Sequence, residues 1–349
     1  MPDESSSAST DVSSSSGDGS REESPPTRSD EPSSRTAPEA SASVSPSEKS
    51  ISTGSRTSST NEALTRATAH YPEWAQELAR KYFTKTITEF IVHGDVRDLV
   101  PTRDADDNRR YVPLEDFLLD DLFAARDVVV LYDRSTGIHF ADEASKKDFN
   151  RALSGYDSIF GTEYQQRLPK DPARVFSLLE NYFRLRLDQG TRMALIVDYA
   201  ETIVPMAEAS MYSAEDRQSL VYLQRWSRDP LFLDSDFTIT LITENLSDVN
   251  QQLVQSPHTA EIHIPIPDED DRGDFVDWYV AGEEDLFRKN SDVPPAALSE
   301  NTAGLNFTQL RTILADVLEN KNRLTFETLS DIKKEFIEAE AYGLLEFIE

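Results

Sequence analysis

A chain of 349 residues is long enough for two domains, or for one domain with long extensions. Its net charge of -29 argues against binding to the phosphate backbone of nucleic acids or to anionic membranes, and it indicates either a strongly solvated surface or a basic partner. The chain has no cysteine, no metal-ligand spacing among its five histidines, and no apolar stretch of membrane or signal length, so we expect a cytoplasmic protein without disulfides or thiolate chemistry.

The first part of the chain is a low-complexity segment. Residues 1–60 are rich in Ser and nearly free of apolar side chains, so they cannot bury enough surface to offset the entropy of ordering. We predict a disordered, acidic tail. It serves either as a solvating extension or as a phosphorylated or partner-binding segment.

Residues 61–125 are predicted to form an extension of helices and one strand. Glu62–Phe83 carries helical periodicity, Ile87–Gly94 alternates like a strand, Asp104–Arg110 is a charged loop, and Leu114–Ala125 has helical spacing. In the first helix the apolar face is predicted to consist of Trp74, Leu78, Tyr82 and Phe83.

Residues 126–268 alternate between short apolar strands and helices, which predicts an α/β domain with a parallel sheet covered on both faces. The predicted strands are Asp127–Asp133, Met193–Tyr199, Phe237–Asn245 and Glu261–Pro267. The predicted helices are Glu143–Leu153, Pro172–Leu187, a helix capped by Ser213 and Asp216 that ends at Trp226, and Leu246–Val254.

Residues 269–349 are predicted to be helical throughout. Helical patterns cover Asp274–Phe287, a helix capped by Asn306 and Gln309, and a last helix from Phe326 to Ala341 with Gly343 just past its end.

One strand has the form of a Walker B motif. In ALIVDYAE an apolar run leads into Asp198, the position that holds Mg²⁺ in nucleotide hydrolases, and Glu201 follows three residues later. The catalytic Glu of such proteins directly follows the Asp, whereas two residues intervene here. The alternative interpretation is a strand whose Asp caps the next turn.

The next predicted strand ends in the polar residues Thr243, Glu244 and Asn245. In a nucleotide hydrolase, a polar residue at this place senses the γ-phosphate. Ordinary turn residues after a strand explain the same pattern.

A phosphate-binding loop is absent from the sequence. Such a loop needs G-x-x-x-x-G-K-[ST], because the glycines let backbone N–H groups converge on the phosphates and the Lys neutralises them. None of the twelve glycines precedes a Lys, and the first strand of residues 126–268 leads instead into RSTGIHF, Arg134–Phe140.

The succession of these motifs resembles the AAA+ ATPases. ALIVDYAE is similar to their Walker B strand, ITEN to the sensor strand, IPIPDEDDR to the junction with the lid, and TAGLNFTQLRTIL to the lid helix, in order from about Leu114 to Leu318. FIVHGDVRDLVP, RDVVVLYDRSTGI and GLLEFIE resemble the degenerate first module of prokaryotic tandem AAA proteins, in which GLLEFIE would lead into a second, intact module.

The resemblance implies a P-loop-NTPase-like α/β core followed by a helical lid. It also implies Asp198 and Glu201 as a Walker B remnant with Asp198 on Mg²⁺, Asn245 as a sensor, and Thr243 and Arg311 beside a nucleotide. A surface arginine is the alternative for Arg311. The helix LSDVNQQLVQSPH offers no arginine finger.

Three functions follow as hypotheses. In the first, the chain is a non-catalytic AAA+ module, from a split or truncated tandem protein, that assembles with or regulates an AAA+ ATPase or forms a homo-oligomer. In the second, it binds ATP and Mg²⁺ weakly at an atypical phosphate site and hydrolyses ATP with Asp198 and Glu201. In the third, it is an adaptor without ATPase activity. The missing phosphate loop favours the first.

Overall fold

A computed structural model describes residues 68–84, 87–208 and 210–345. The tail predicted at residues 1–60 and the last four residues of GLLEFIE lie outside this part of the chain. Within the described ranges, no helix is both long and apolar enough to cross a membrane.

The described chain contains eight strands and twelve α-helices. The strands are β1 (Glu89–Gly94), β2 (Leu99–Arg103), β3 (Arg109–Pro113), β4 (Val128–Asp133), β5 (Gly137–Phe140), β6 (Met193–Val197), β7 (Phe237–Ile242) and β8 (Thr259–Ile264). The helices are α1 (Glu73–Phe83), α2 (Leu114–Phe117), α3 (Glu143–Phe160), α4 (Pro172–Asp188), α5 (Ala214–Trp226), α6 (Pro230–Asp234), α7 (Gln251–Val254), α8 (Glu269–Val280), α9 (Glu284–Asn290), α10 (Pro295–Asn301), α11 (Phe307–Leu318) and α12 (Phe326–Leu345).

The predicted fold class is confirmed. Six strands form one sheet in the order β5-β4-β6-β7-β1-β8, and every neighbouring pair except β4–β5 is parallel. Helices cover both faces of this sheet, and a helical domain follows it along the chain.

The sequence predicted a parallel sheet. The sheet of the structure also contains one antiparallel pair, β4 with β5. The Asp133 carboxylate accepts hydrogen bonds from the backbone N–H groups of Ser135 (2.7 Å) and Thr136 (2.8 Å), and Gly137 follows at φ +89°. This tight Asx turn reverses the chain at once. RSTGIHF is therefore the turn and return strand of a hairpin.

Strand β1 belongs to the main sheet, although the sequence placed it in an extension before residue 126. It pairs in parallel with both β7 and β8, and four of its residues are buried. Ile91 faces one core of the sheet, while Phe90 and Val92 face the other. The sheet therefore begins with residue 89.

A second difference concerns residues 99–113, within which the sequence predicted only a charged loop at Asp104–Arg110. Strands β2 and β3 form an antiparallel hairpin around Asp104–Asn108, and the Asp104 carboxylate accepts the backbone N–H groups of Asp106 and Asn108, each at 2.9 Å. The charged residues are the turn of this hairpin. The helix predicted over Leu114–Ala125 is shorter, since α2 passes into a π-helical turn at Leu118–Leu122.

Apolar periodicity and capping residues in the sequence correctly predicted most of the other helices and strands. The apolar stripe of α4 is buried, and the predicted caps of α5 and α11 are capping boxes. In α1, Phe83 is 52% exposed instead of buried, because two consecutive helical residues cannot share one face with Tyr82 inside. The helix predicted over Asp274–Phe287 is divided into α8 and α9 at Gly282, where φ is +85°. Gly343 lies within α12 instead of after it.

Candidate functional site

The sheet has one point where the order of its strands reverses. From β1 the chain crosses to β4, on the far side of β6 and β7, whereas from β7 it passes over β1 to β8. In open α/β sheets, ligands bind outside the carboxyl ends of the strands at such a point. The loops that follow β1, β6 and β7 therefore form the candidate site.

Asp198 lies at this edge, directly after β6, and it is paired. Its Oδ2 accepts a hydrogen bond of 2.7 Å from Nη1 of Arg97, and its Oδ1 accepts the backbone N–H of Tyr199 at 2.8 Å. Arg97 comes from the loop after β1, and its Nε also donates to Oε1 of Glu244, after β7, at 3.2 Å. One guanidinium therefore connects the ends of three strands.

The guanidinium is further fixed by an aromatic ring. Cζ of Arg97 lies 4.1 Å from the ring centroid of Tyr199, within the range of a cation–π interaction. Tyr199 itself adopts φ +52°, a left-handed conformation that is uncommon for a residue with a side chain. Burial lowers the pKa of Arg97, but the hydrogen bonds to Asp198 and Glu244 and the charge of Asp198 outweigh it and raise that pKa above its usual value.

The other predicted site residues do not converge on Asp198. One carboxyl oxygen of Glu201, Oε2, is buried without a hydrogen-bond partner. The buried Thr243 hydroxyl donates to the backbone oxygen of Asn245 (3.2 Å), and the exposed Asn245 side chain donates to Asp248 (3.2 Å). Arg311 is exposed on α11. Burial raises the pKa of Tyr279, and the positive charge of Arg311 opposes that effect.

Gly94, the last residue of β1, and the loop of residues 95–98 occupy the place where a phosphate-binding loop would follow a central strand. Gly94 adopts φ +100° and donates its N–H to the backbone oxygen of Glu244 (3.1 Å), and Asp95 donates to that of Ile264 (3.0 Å). A phosphate-binding loop leads into a helix, whose N-terminal N–H groups point at the phosphates. This loop leads into strand β2 and carries Arg97 and Asp98.

A cavity of about 230 Å³ opens beside Arg97 and Asp198. Its lining includes Asp98, Glu115 and Asp133. Burial raises the pKa of Glu115, and the negative charges of Asp198 and Asp133 add to that effect while His139 opposes it. A phosphate group placed here would therefore meet several carboxylates within a short distance.

Sequence reasoning missed Arg97 and Asp98, which lie at the centre of the site. The signal that could have found them is the apolar run before Gly94, because a buried strand ending at a Gly is a candidate central strand. Among the described residues, no group of three or more His, Asp or Glu side chains is arranged to hold a metal ion.

Two family models match the chain. Residues 60–265 match the N-terminal Rossmann-like domain of AAA+ chaperones, and residues 270–342 match the second helical domain of AAA+ chaperones. A search of curated proteins found no match. Among solved structures, a chain of the E. coli MS115-1 HORMA:CdnC:Trip13 complex matches with 14% identity and a TM-score of 0.44, over 82% of this chain and 88% of that chain.

Proposed function

The chain belongs to the AAA+ chaperone family, and from this premise we propose that it is a non-catalytic module, which does not hydrolyse ATP and acts in the assembly or regulation of an AAA+ ATPase complex. The observation that carries the proposal is the position of Arg97. Its guanidinium pairs with Asp198, the carboxylate that would hold Mg²⁺ in a hydrolase, and with Glu244 at the end of the neighbouring strand.

The residues at the site do not fit a magnesium–nucleotide complex. A metal ion on Asp198 would have to displace a 2.7 Å ion pair, in which the Asp198 side chain is only 26% exposed. Triphosphate would need converging N–H donors and a Lys, whereas the loop after β1 presents Asp95 and Asp98 and leads into a strand. These are chemical objections to hydrolysis that stand apart from any comparison of sequences.

The proposed partner is an AAA+ protein that carries its own intact phosphate-binding loop, or further copies of this chain. A module that retains the two-domain organisation but lacks nucleotide chemistry keeps its surfaces available for assembly. The net charge of -29 makes nucleic acid and anionic membranes poor partners.

The decisive experiment measures phosphate release from ATP with Mg²⁺ in the full chain and in two variants. Asp198→Asn removes the carboxylate at the site, and Asp270→Asn, at an exposed position of α8, serves as the matched control. We expect all three proteins to release phosphate at the rate of the buffer alone. Turnover that requires Mg²⁺, persists in Asp270→Asn and is lost in Asp198→Asn would overturn the proposal in favour of an ATPase with an atypical site.

A further inference from the structure

The helix α11 begins at a carboxylate from the α/β domain. Asp98 accepts the backbone N–H groups of Phe307 and Thr308, each at 2.8 Å, and the Thr308 hydroxyl at 2.9 Å. The next N–H, of Gln309, is accepted by the side chain of Asn306 at 3.0 Å. The donors that a helix N-terminus leaves free are thus satisfied within the protein.

Asp98 is 5% exposed, so these contacts replace its contacts with water. Burial raises the pKa of Asp98, and the hydrogen bonds from Phe307, Leu99 and Thr308 oppose that effect. A helix N-terminus attracts anions because its N–H groups and its dipole both favour negative charge. The protein's own carboxylate takes that position on α11.

The residue before Asp98, Arg97, carries the opposite charge and contacts the other domain. Arg97 pairs with Asp198 and Glu244 on the sheet, while Asp98 holds the helical domain. The Asn306 side chain also donates to Asp95 of the same loop at 3.3 Å. Five consecutive residues, 94–98, therefore touch both domains.

The hairpin that follows extends this contact. The Tyr111 ring of β3 lies 4.8 Å, between ring centroids, from Phe275 of the helical domain and 5.1 Å from Phe307. Nη1 of Arg109 lies 2.9 Å from Oδ2 of Asp274. Residues 94–113, which we call the coupling segment, hence join the two domains through charged, polar and aromatic contacts.

We propose that the coupling segment is a built-in latch that fixes the helical domain on the α/β domain in one orientation without any bound nucleotide. Arg97 anchors the segment to Asp198 and Glu244 of the α/β domain, and Asp98 holds the N-terminus of α11 in the helical domain. The inference rests on the proposed function only in its statement that nucleotide leaves this orientation unchanged.

The test uses distances between two spin labels in the full chain. Because the chain has no cysteine, Lys147→Cys on α3 and Glu300→Cys on α10, both exposed, give one label in each domain without further changes. We expect pulsed electron–electron double resonance to give a single narrow distribution of the distance between the two labels. This distribution should be identical with and without Mg²⁺ and millimolar ATP. A broad or two-peaked distribution in the absence of nucleotide would overturn the latch.

Variants in the same labelled chain test whether Asp98 holds the helical domain in place. Asp98→Asn keeps the shape but removes the charge, so we expect a broader distribution, and Asp98→Ala should broaden it further if that variant folds. Thr312→Val is the control, since its hydroxyl bonds only within α11, to the backbone oxygen of Thr308 at 3.0 Å. An Asp98→Asn distribution as narrow as that of Thr312→Val would contradict the proposal.

The two proposals fail in different ways. ATP turnover in a chain whose distances stay narrow and unchanged would refute the non-catalytic role and leave the latch in place. A nucleotide-dependent distance shift without turnover would refute the latch alone.

Discussion

Replacing Gly94 with alanine is expected to destabilise the protein by about 2–4 kcal/mol. Gly94 ends β1 at φ +100°, a conformation that residues with a side chain rarely adopt. An added Cβ would lie 2.3 Å from the backbone oxygen of Ile264, and that oxygen belongs to the neighbouring strand and cannot rotate away. Both effects act at the start of the coupling segment.

The measurement is urea unfolding of the full chain, with Gly155→Ala as the matched control. Gly155 lies inside α3, and its added Cβ would meet no atom within 4 Å. The control should therefore gain about 0.5–1 kcal/mol from the better helix propensity of alanine. Equal unfolding free energies for the two variants would show that β1 does not approach β8 as described.

Replacing Glu89 with glutamine is expected to remove a pH dependence of stability worth up to about 3 kcal/mol. The Glu89 side chain is fully buried at the start of β1. Its Oε1 accepts the Thr259 hydroxyl at 2.8 Å, and its Oε2 is buried without a partner. Burial raises the pKa of Glu89 to about 7, although the Thr259 hydroxyl and the charge of Arg228 oppose this.

The raised pKa of Glu89 determines how the stability of the protein changes with pH. A carboxyl group whose pKa is higher in the folded than in the unfolded chain binds its proton more tightly when folded, so it stabilises the fold below the unfolded pKa. That stabilisation is lost between the ordinary value of 4.5 and about 7. Glu89→Gln should therefore match the wild type near pH 5 and exceed it at pH 8.

Unfolding free energies at pH 5, 6, 7 and 8 test this expectation in both proteins. Glu300→Gln, at an exposed position of α10, controls for the loss of one charge from an acidic chain. If the difference between Glu89→Gln and the wild type stays constant across this range, Glu89 is ionised in the folded protein and the assignment is wrong.

The sequence predicted what is encoded within single elements. The caps at Ser213 and Asn306 and the stripe of α4 depend on residues three or four positions apart, and the structure contains them. The position of Asp198 after a buried strand was predictable for the same reason.

The centre of the candidate site depends on contacts that no local pattern encodes. Arg97 and Asp198 are 101 positions apart, and Asp98 and Phe307 are 209 apart. Because β1 is inserted between β7 and β8, the loop to compare with a phosphate-binding loop follows Gly94 and not the strand at residues 128–133. Strand order arises from packing of the whole chain, so the sequence alone assigned the place of a phosphate-binding loop to RSTGIHF.

The adjacency of Arg97 and Asp98 also has an evolutionary consequence. Replacing Arg97 alone would leave Asp198 and Glu244 without their cationic partner, and replacing Asp98 alone would leave the N–H groups of Phe307 and Thr308 without their acceptor. A change toward a phosphate site that begins at either residue therefore passes through a less stable intermediate. Selection for stability alone would keep both residues in place, whatever the protein's partner.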